Sequence, residues 1–446
     1  MKSILVIGAG RSSTALIQYV LSNAEKHGWF VTVADADPDL AAQKVDNHPF
    51  GRGTWLDVTK VNDRRELIER AEVVVSLLPA HLHLEVAQDC IRLKKHLITA
   101  SYVSNEMYRL GDEARDRDLI FMGEMGLDPG IDHMSAKQKI DEIKEKGGKL
   151  IAFRSYTGGL IAPESDDNPW HYKFTWNPRN VVLAGQGTAQ YLENGKYKYI
   201  PYNRLFQEYW KINIKGMGEY EVCANRDSLL YRGIYGLSDI PNILRGTIRN
   251  VGFCDAWNAL IKIGLTDGSF PILESKDLTY HSLMEAYLGS KEGTGSVRER
   301  IAEFLGESPF SPVMRKLDWL GLFRNKRIGM ERATPALILE NLLLDKWQLK
   351  PEDKDMIIMR HEFEYELDGK RKELTSTLVM KGNNSTDTAM AKLVGVPMGI
   401  FVKLVMLGKI KAKGVQIPVM KEVYDPVLEE LKELGVEFVE EERDIE

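Results

Sequence analysis

The sequence predicts an α/β protein with a doubly wound parallel sheet, a second, mixed-sheet α/β domain and a helical insertion. Short apolar runs alternate with helical segments over about the first 130 residues, a pattern typical of parallel sheets. Strands with alternating polar and apolar residues come later, and helical segments fill most of residues 241–350. A chain of 446 residues is too long for one core and predicts two or three domains.

The chain begins with an apolar strand, a glycine turn and a helix, in the stretch "SILVIGAGRSS" (3–13). A continuous apolar strand suits a parallel sheet that is covered on both faces. Gly8 allows the tight turn, and Gly10 lets a pyrophosphate approach the start of the helix. Ser13 replaces the usual third glycine and is small enough to keep the helix close to the strand. This fingerprint predicts a Rossmann-type dinucleotide-binding domain.

The second predicted strand, "WFVTVAD", ends at Asp35. An acid at this position accepts hydrogen bonds from the ribose hydroxyls of a dinucleotide and repels a 2′-phosphate. No Arg or Lys stands beside it, and Asp37 follows two residues later. The sequence therefore favours NAD as cofactor, with NADP as the alternative.

Four more strands are predicted before residue 124, each followed by candidate ligand contacts. Ligands of such sheets bind beyond the carboxyl ends of the strands, which here include Leu56–Val58, Leu78–Pro79 and Ala100–Tyr102. The sixth strand leads into "GLDPGIDH" (126–133), which combines turn residues with titratable groups. His81 and His83 lie two residues apart on a predicted helix and point to different faces, so no metal site is expected.

The second half of the chain contains a hairpin signal and long helices. The runs "DMIIMRHEFEYEL" and "RKELTSTLVMKG" are separated by a tight Asp-Gly turn, which predicts an antiparallel pair. Residues 241–264 are predicted as helical, and the stretch 385–410 as two apolar helices that return to the first domain. The predicted domains are residues 1–130 with 385–446, residues 131–240 with 351–384, and residues 241–350.

Composition excludes several classes of function. The net charge is −6 and no basic block stands out, so neither nucleic acid nor a membrane surface is an expected partner. The N-terminus lacks signal-peptide features. The sequence contains no run of about 18 apolar residues, so no membrane span is expected. Cys90, Cys223 and Cys254 show no CxxC spacing. We therefore expect free thiols and a cytoplasmic location.

Polar clusters in the second domain are candidate contacts for a small-molecule substrate. The loop 158–176 is rich in Gly and Pro and carries His171, Lys173 and two tryptophans. Arg226, Arg245 and Arg249 could bind carboxylates through paired N–H donors. For any one of these arginines alone, a surface salt bridge is the competing interpretation.

These motifs together resemble the saccharopine dehydrogenases of the L-glutamate-forming type, also called saccharopine reductases. The resemblance runs nearly end to end and rests on "GLDPGIDH", "GGL-APES-DNP", "YKF-W", "NRDS", "RGT-R", "LDWLGLF" and "AMAKLVGVP". It implies a Rossmann domain, a second α/β domain that forms a homodimer, and a mostly helical third domain. The implied reaction oxidises saccharopine with NAD(P)⁺ and water to L-glutamate and α-aminoadipate semialdehyde.

The resemblance also implies which residues bind the ligands. The implied cofactor contacts are Gly8, Ala9, Gly10, Arg11, Ser12, Asp35, Asp57, Val58, Leu78, Ser101, Leu127, Asp128, Pro129 and Trp176. The implied saccharopine contacts are Ser101, Tyr102, Asp128, Arg226, Thr247, Ile248 and Arg249. Family members that take NADP have a basic residue in the turn that here reads Asp-Ala-Asp (35–37), which favours NAD for this chain.

Four residues are candidates for the general acid or base: Asp128, Asp132, His133 and Lys173. Asp128 is the expected catalytic residue, because the end of the sixth strand would place it beside the nicotinamide. For His133, capping of the following helix is an equally good interpretation.

Two other functions fit the same fold. A carboxynorspermidine dehydrogenase would act on a related C–N bond, but a polyamine pocket should contain more acids than arginines. A non-catalytic NAD-sensing protein would bind NADH without turnover, and the dense polar loops of the second domain argue against it.

Overall fold

Strands and helices alternate along the first part of the chain, as the hydrophobic pattern predicts. The computed structural model describes residues 1–184, 186–288 and 295–446. The elements up to residue 122 are β1 (Lys2–Ile7), α1 (Thr14–His27), β2 (Trp29–Asp35), α2 (Pro38–Val45), β3 (Gly51–Trp55), α3 (Val61–Glu69), β4 (Val73–Ser76), α4 (His83–Leu93), β5 (His96–Thr99), α5 (Asn105–Tyr108), α6 (Gly111–Asp116) and β6 (Ile120–Met122).

The middle of the chain builds a second sheet and most of the remaining helices. Its elements are α7 (Ile131–Glu145), β7 (Lys149–Ile161), α8 (Pro178–Val182), β8 (Ala189–Glu193), β9 (Lys196–Ile200), β10 (Tyr209–Ile214), β11 (Gly218–Ala224), α9 (Tyr231–Ile234), β12 (Asn242–Asn250), α10 (Phe253–Ile263), α11 (Tyr280–Tyr287), α12 (Val297–Leu305), α13 (Pro312–Leu320), α14 (Pro335–Trp347), β13 (Asp355–Leu367) and β14 (Lys370–Lys381).

The last part of the chain contributes to both sheets. Its elements are α15 (Ala389–Met406), β15 (Gly414–Gln416), α16 (Lys421–Glu433) and β16 (Val439–Ile445). β15 pairs with β6 in the first sheet, whereas β16 pairs with β14 in the second. The final strand thus leaves the domain to which the predicted boundaries assign residues 385–446.

The two sheets have different topologies. The first has seven parallel strands in the order β15-β6-β5-β4-β1-β2-β3. The second follows the path β10-β11-β12-β7-β13-β14-β16, with β8 paired to β12 and β9 paired to β8. In the second sheet β12 and β7 are parallel, and the other pairs are antiparallel. The predicted fold class, a doubly wound parallel sheet with a mixed sheet beside it, is confirmed.

The hairpin signal is also confirmed. β13 and β14 pair from Met356–Lys381 to Leu367–Lys370, so Asp368 and Gly369 alone form the turn. Both turn residues have positive φ angles, of 53° and 74°. An Asp-Gly pair adopts this geometry readily, because the short Asp tolerates it and Gly has no Cβ.

The helical prediction for residues 241–264 is wrong in its first half. Residues 242–250 form strand β12, between β11 and β7, and helix α10 begins only at Phe253. Gly252 separates the two elements, with a left-handed φ of 79°. The β-branched residues of "NILRGTIRN" suit a central strand, and its pairing to two neighbours overrides the helical pattern of the residues that follow.

The two apolar helices predicted for residues 385–410 are one helix, α15, which contains Pro397. By length and composition α15 could cross a membrane, but 78% of it is buried inside the molecule. A Cβ atom on Gly395 would lie 2.6 Å from the backbone nitrogen of Leu16, and one on Gly399 would lie 2.5 Å from the ring of Tyr19. These glycines let α15 pack closely against α1.

A buried carboxylate fixes the start of α15 to the second sheet. Asp355, the first residue of β13, is fully buried. Its Oδ1 accepts a hydrogen bond of 2.7 Å from Ala389 N, and its Oδ2 accepts one of 2.9 Å from Met390 N. These amides lie in the first turn of the helix and have no partner within it.

We predict that Asp355→Ala lowers the free energy of unfolding by about 2–4 kcal/mol, because two amides lose their acceptor in a buried position. Urea unfolding followed by circular dichroism measures the change. Asp112→Ala is the matched control, since Asp112 also lies in a helix first turn but is 89% exposed. A loss as small as that of the control would contradict the role given to Asp355.

Candidate active site

The carboxyl ends of the parallel strands form one edge of the first sheet, and most predicted cofactor contacts lie along it. Parallel strands all end at the same edge, so residues far apart in the sequence meet there. β1 is followed by Gly8, Ala9, Gly10, Arg11 and Ser12, and β2 ends in Asp35. β3 is followed by Asp57 and Val58, β4 by Leu78, and β5 by Ser101. β6 is followed by Leu127, Asp128 and Pro129. Trp176, which follows β7 of the second sheet, packs against both large hydrophobic cores.

The glycine turn after β1 fits a dinucleotide phosphate. A Cβ atom on Gly10 would meet no other atom within 4 Å, so the space at the start of the helical segment is open. Asp35 holds the turn from the next strand: Ala9 N donates to its Oδ2 at 2.6 Å, and Asp37 N donates to its Oδ1 at 2.9 Å. The turn would therefore hold the pyrophosphate, and Asp35 would face the adenosine ribose.

The stretch 126–133 folds into a turn that only glycine allows at its centre. Gly130 has a φ of 148°, and a Cβ atom there would lie 2.0 Å from the carbonyl oxygen of Gly126. Gly126 N donates to Pro129 O, and Ile131 N donates to Gly126 O, both at 2.9 Å. This turn places Asp128 and Asp132 at the junction of the two sheets.

At this junction one guanidinium nitrogen binds two carboxylates. Arg245 Nη2, from strand β12 of the second sheet, donates to Asp128 Oδ1 at 2.6 Å and to Asp132 Oδ2 at 2.8 Å. The Arg245 side chain is 4% exposed. The hydroxyl of Tyr102 lies 3.4 Å from Asp128 Oδ1. The ion pairs therefore join the end of β6 to the second sheet.

The two carboxylates differ in their affinity for a proton. Burial and the negative charge of Asp132 raise the pKa of Asp128 above its ordinary value, although Arg245 opposes the shift. Burial also acts to raise the pKa of Asp132, but His133, Arg245 and the Gly130 N–H outweigh it and hold this pKa below its ordinary value. Asp132 thus keeps the charge, and Asp128 is the carboxyl that can exchange a proton.

The other acid–base candidates are committed to buried contacts. The His133 ring nitrogens bind Glu124 Oε2, at 2.8 Å, and the hydroxyl of Tyr235. His133 does not cap α7, which begins after Gly130. Lys173 is buried between two acids, 2.7 Å from Asp353 and 2.9 Å from Asp167.

Among the described residues, Arg249 is a buried arginine without an ion-pair partner. It is 5% exposed and stacks over the rings of Tyr172 and Phe253, at 5.4 and 5.3 Å. Its Nη1 donates to Ile248 O at 2.9 Å, and its Nε has no partner within the described residues. In the described part of the chain Arg249 forms no ion pair: the buried Glu221, opposite it on β11, accepts instead from Gly252 N and Cys254 N. A buried guanidinium in this state suits a carboxylate of a bound ligand.

The remaining predicted substrate contacts lie on two faces of β12 and in the loops beside it. Thr247 and Arg249 lie on the same face of β12, since side chains alternate along a strand. Ile248 points the other way into a hydrophobic core, so only its backbone could contact a ligand. Arg226 is exposed, with its guanidinium carbon 5.1 Å from the ring centre of Tyr102. Ser101 is half-buried beside Tyr102.

From the sequence, Arg245 is one of three arginines that could bind a substrate carboxylate, with a salt bridge as the competing interpretation. In the structure it forms ion pairs with two acids of the protein, 117 and 113 residues away in sequence. Reading 242–250 as a strand would have placed Arg245 and Arg249 on one face and pointed to a shared site. Sequence reasoning also missed His83, which is hydrogen-bonded to Ser101, and Glu124, the partner of His133.

Comparison with known proteins covers nearly the whole chain. Residues 4–122 match the family model "Saccharopine dehydrogenase NADP binding domain", and residues 126–436 match "Saccharopine dehydrogenase C-terminal domain". The L-glutamate-forming, NADP(+)-type saccharopine dehydrogenase of Pyricularia oryzae is 35% identical over 98% of both chains. The protein of the same name from Saccharomyces cerevisiae is 33% identical over 97% of both chains.

A solved structure is similar as well. The apo saccharopine dehydrogenase (L-Glu forming) of Saccharomyces cerevisiae has a TM-score of 0.89 and 31% identity, and the match covers 99% of this chain and 100% of that one. The comparisons support a nicotinamide cofactor and favour NADP over the NAD that Asp35 predicts. The chain belongs to the saccharopine dehydrogenase family.

Proposed function

We propose that the protein catalyses the reversible oxidation of L-saccharopine to L-glutamate and α-aminoadipate semialdehyde with a nicotinamide dinucleotide. The observation that supports it is the presence of two features on neighbouring elements. Asp128, a partly buried carboxyl with a raised pKa, lies at the carboxyl edge of the dinucleotide-binding sheet. Arg249, a buried guanidinium that has no acid partner among the described residues, lies on the strand that also supplies Arg245.

The reaction needs one proton acceptor and several carboxylate binders. The carbon next to the secondary amine of saccharopine loses a hydride, the amine loses a proton, and a C=N bond forms. Water adds to that bond, and the C–N bond then breaks to give the aldehyde and the amino group of glutamate. When bound, the nicotinamide ring accepts the hydride.

Asp128 is the proposed proton acceptor. As a carboxylate it removes the proton of the substrate amine before oxidation, and as a carboxylic acid it can return a proton during hydrolysis. Arg245, from the second sheet, holds it in place, and Asp132 accepts from the same guanidinium nitrogen. Tyr102, whose hydroxyl lies 3.4 Å away, keeps its own proton at neutral pH because burial raises its pKa.

Arg249 and Arg226 are the proposed binders of the substrate carboxylates. Saccharopine carries three carboxylates, whereas carboxynorspermidine carries one carboxylate and more amino groups. Burial of Arg249 without an acid would be unfavourable beside a polycationic substrate. The arginines therefore favour saccharopine over a carboxynorspermidine-type substrate.

For the dinucleotide, the two arguments point in different directions. The named relatives use NADP(+), and we propose that NADP(H) is accepted. Asp35 places a negative charge where the 2′-phosphate would lie, so it should weaken NADP(H) relative to NAD(H). Its carboxylate also holds Ala9 N, which gives it a structural role with either cofactor.

A homodimer and a cytoplasmic location are further proposals. The homodimer rests on the family resemblance, and light scattering after size-exclusion chromatography tests it. The location is supported by Cys90, Cys223 and Cys254, which are all buried and free.

We predict that the purified protein reduces NAD⁺ or NADP⁺ when L-saccharopine is added at alkaline pH. Absorbance of the reduced dinucleotide measures the rate, and detection of glutamate identifies the product. Norspermidine derivatives serve as control substrates. No reduction of either dinucleotide by saccharopine would refute the proposed function.

We predict that Asp128→Asn lowers kcat by about 10²–10⁴-fold, the usual range for loss of a general acid or base.

Asp132→Asn removes the like charge that raises the Asp128 pKa. It should therefore move the acidic limb of the kcat–pH profile about one unit to lower pH.

Glu142→Gln is the control for the Asp132 variant, because Glu142 is on the same helix but is 41% exposed. An acidic limb that stays in place, or moves to higher pH, in Asp132→Asn would contradict the charge relationship. Saccharopine and the dinucleotide must be saturating at each pH, so that kcat reports the bound complex.

We predict that Asp35→Asn raises the ratio of kcat/KM for NADP⁺ to that for NAD⁺ by about tenfold, because the repulsion of the 2′-phosphate is removed. Asparagine retains an acceptor for Ala9 N–H. Asp39→Ala, an exposed acid in the next helix, is the control and should leave the ratio unchanged. If Asp35→Asn also leaves it unchanged, Asp35 does not select the dinucleotide.

A further inference from the structure

His83 is a buried histidine with both ring nitrogens in use. It is the first residue of α4 and is 4% exposed. Its Nδ1 lies 2.9 Å from Ser76 Oγ, and its Nε2 lies 2.8 Å from Ser101 Oγ. A third hydroxyl, Thr99 Oγ1, lies 3.3 Å from Nε2. The ring therefore connects the ends of β4 and β5 at the ligand-facing edge of the sheet.

Hydrogen bonds at both ring nitrogens fix how the ring is turned. His83 also borders a cavity of about 40 Å³ that is lined by Leu84, Tyr102 and Met107. Burial, with a smaller effect from His81, lowers the pKa of His83 to about 4. At neutral pH the ring is uncharged, with one nitrogen that donates and one that accepts.

Ser101 is the residue through which His83 can act. Its backbone is fixed on both sides: Ser101 N donates to Thr99 Oγ1 at 3.2 Å, and Ser101 O accepts from Glu124 N at 3.0 Å. The one free rotation is that of the hydroxyl, and the bond to His83 uses one of its hydrogen-bonding positions. Its remaining hydrogen-bonding positions are available to a ligand, since Ser101 is half-exposed.

We propose that His83 is a positioning residue, which orients the Ser101 hydroxyl toward the bound dinucleotide and substrate. The inference rests on the proposed function for the substrate, whereas its dinucleotide part can be tested by binding alone. His81, in the same turn, is exposed, whereas the buried His83 is hydrogen-bonded to Ser101.

The test is a double-mutant cycle of His83→Phe and Ser101→Ala, measured by fluorescence titration with NADPH and NADH and by steady-state kinetics with saccharopine. We expect His83→Phe to weaken dinucleotide binding or to lower kcat/KM for saccharopine by about tenfold, the usual effect of one misdirected hydrogen bond. In the Ser101→Ala background the same change should have almost no further effect, because the two residues act as a unit.

Two variants separate positioning from a general loss of structure. His83→Gln keeps a polar group that can reach Ser101 and should recover most of the lost binding. His81→Gln, in the same turn but exposed, should behave as the unchanged protein. Thermal unfolding of every variant identifies any that fails to fold. If His83→Phe fails to fold, the binding and kinetics of His83→Gln and Ser101→Ala are compared instead.

Effects of His83→Phe and Ser101→Ala that simply add would overturn the proposal, as would wild-type binding and kinetics in His83→Phe. Equal losses in the Phe and Gln variants would also overturn it. A protein that binds NADPH or NADH but does not oxidise saccharopine would refute the proposed function instead. In that case the NADPH and NADH titrations alone decide the role of His83.

Discussion

The ion pairs of Arg245 with Asp128 and Asp132 are the interaction on which the rest of the site depends. They connect the turn after β6, in the first sheet, to β12, in the second. Removal of one member of such a buried set typically costs about 3–5 kcal/mol, because the remaining charges lose their partner. The same charged groups, together with burial, shift the proton affinity of Asp128. The same side chains therefore join the two sheets and shift the proton affinity of the candidate catalytic residue.

The surroundings of Asp128 and Asp132 give these two carboxylates different proton affinities. Asp132 accepts from the Gly130 N–H at 2.6 Å and lies next to His133, so its environment favours the charged form. Asp128 lacks that amide and faces the charge of Asp132. Two aspartates four residues apart on one turn thus become a fixed anion and a titrating group. The tight turn at Gly130 makes this possible, because a residue with a Cβ could not occupy it.

The features predicted correctly from the sequence are local ones. The glycine turn, the hairpin at Asp368–Gly369 and the strand ends follow from backbone preferences and from hydrophobic period, which neighbouring residues determine. The carboxyl edge could be assembled in advance, because parallel strands end together. These rules also predict that Asp128 lies at the edge of the sheet, although they do not predict its partners.

What the sequence did not reveal depends on contacts between distant segments. The strand β12 was predicted as helix because its pairing with β7 and β11 is invisible in its own residues, and the true partners of Arg245 were hidden with it. His83 was considered only as a metal ligand, since spacing along a helix says nothing of a serine 18 residues away. Residues 385–410 were predicted as two helices, but the close packing of α15 against α1 is not visible in those residues alone.

The most direct test of the account is a crystal structure of the protein with saccharopine and a reduced dinucleotide, a pair that cannot react. We expect the secondary amine of saccharopine within hydrogen-bond distance of Asp128, about 2.6–3.2 Å, and one of its carboxylates on Arg249. A complex in which the amine lies away from Asp128, with Arg249 still unpaired, would contradict the account.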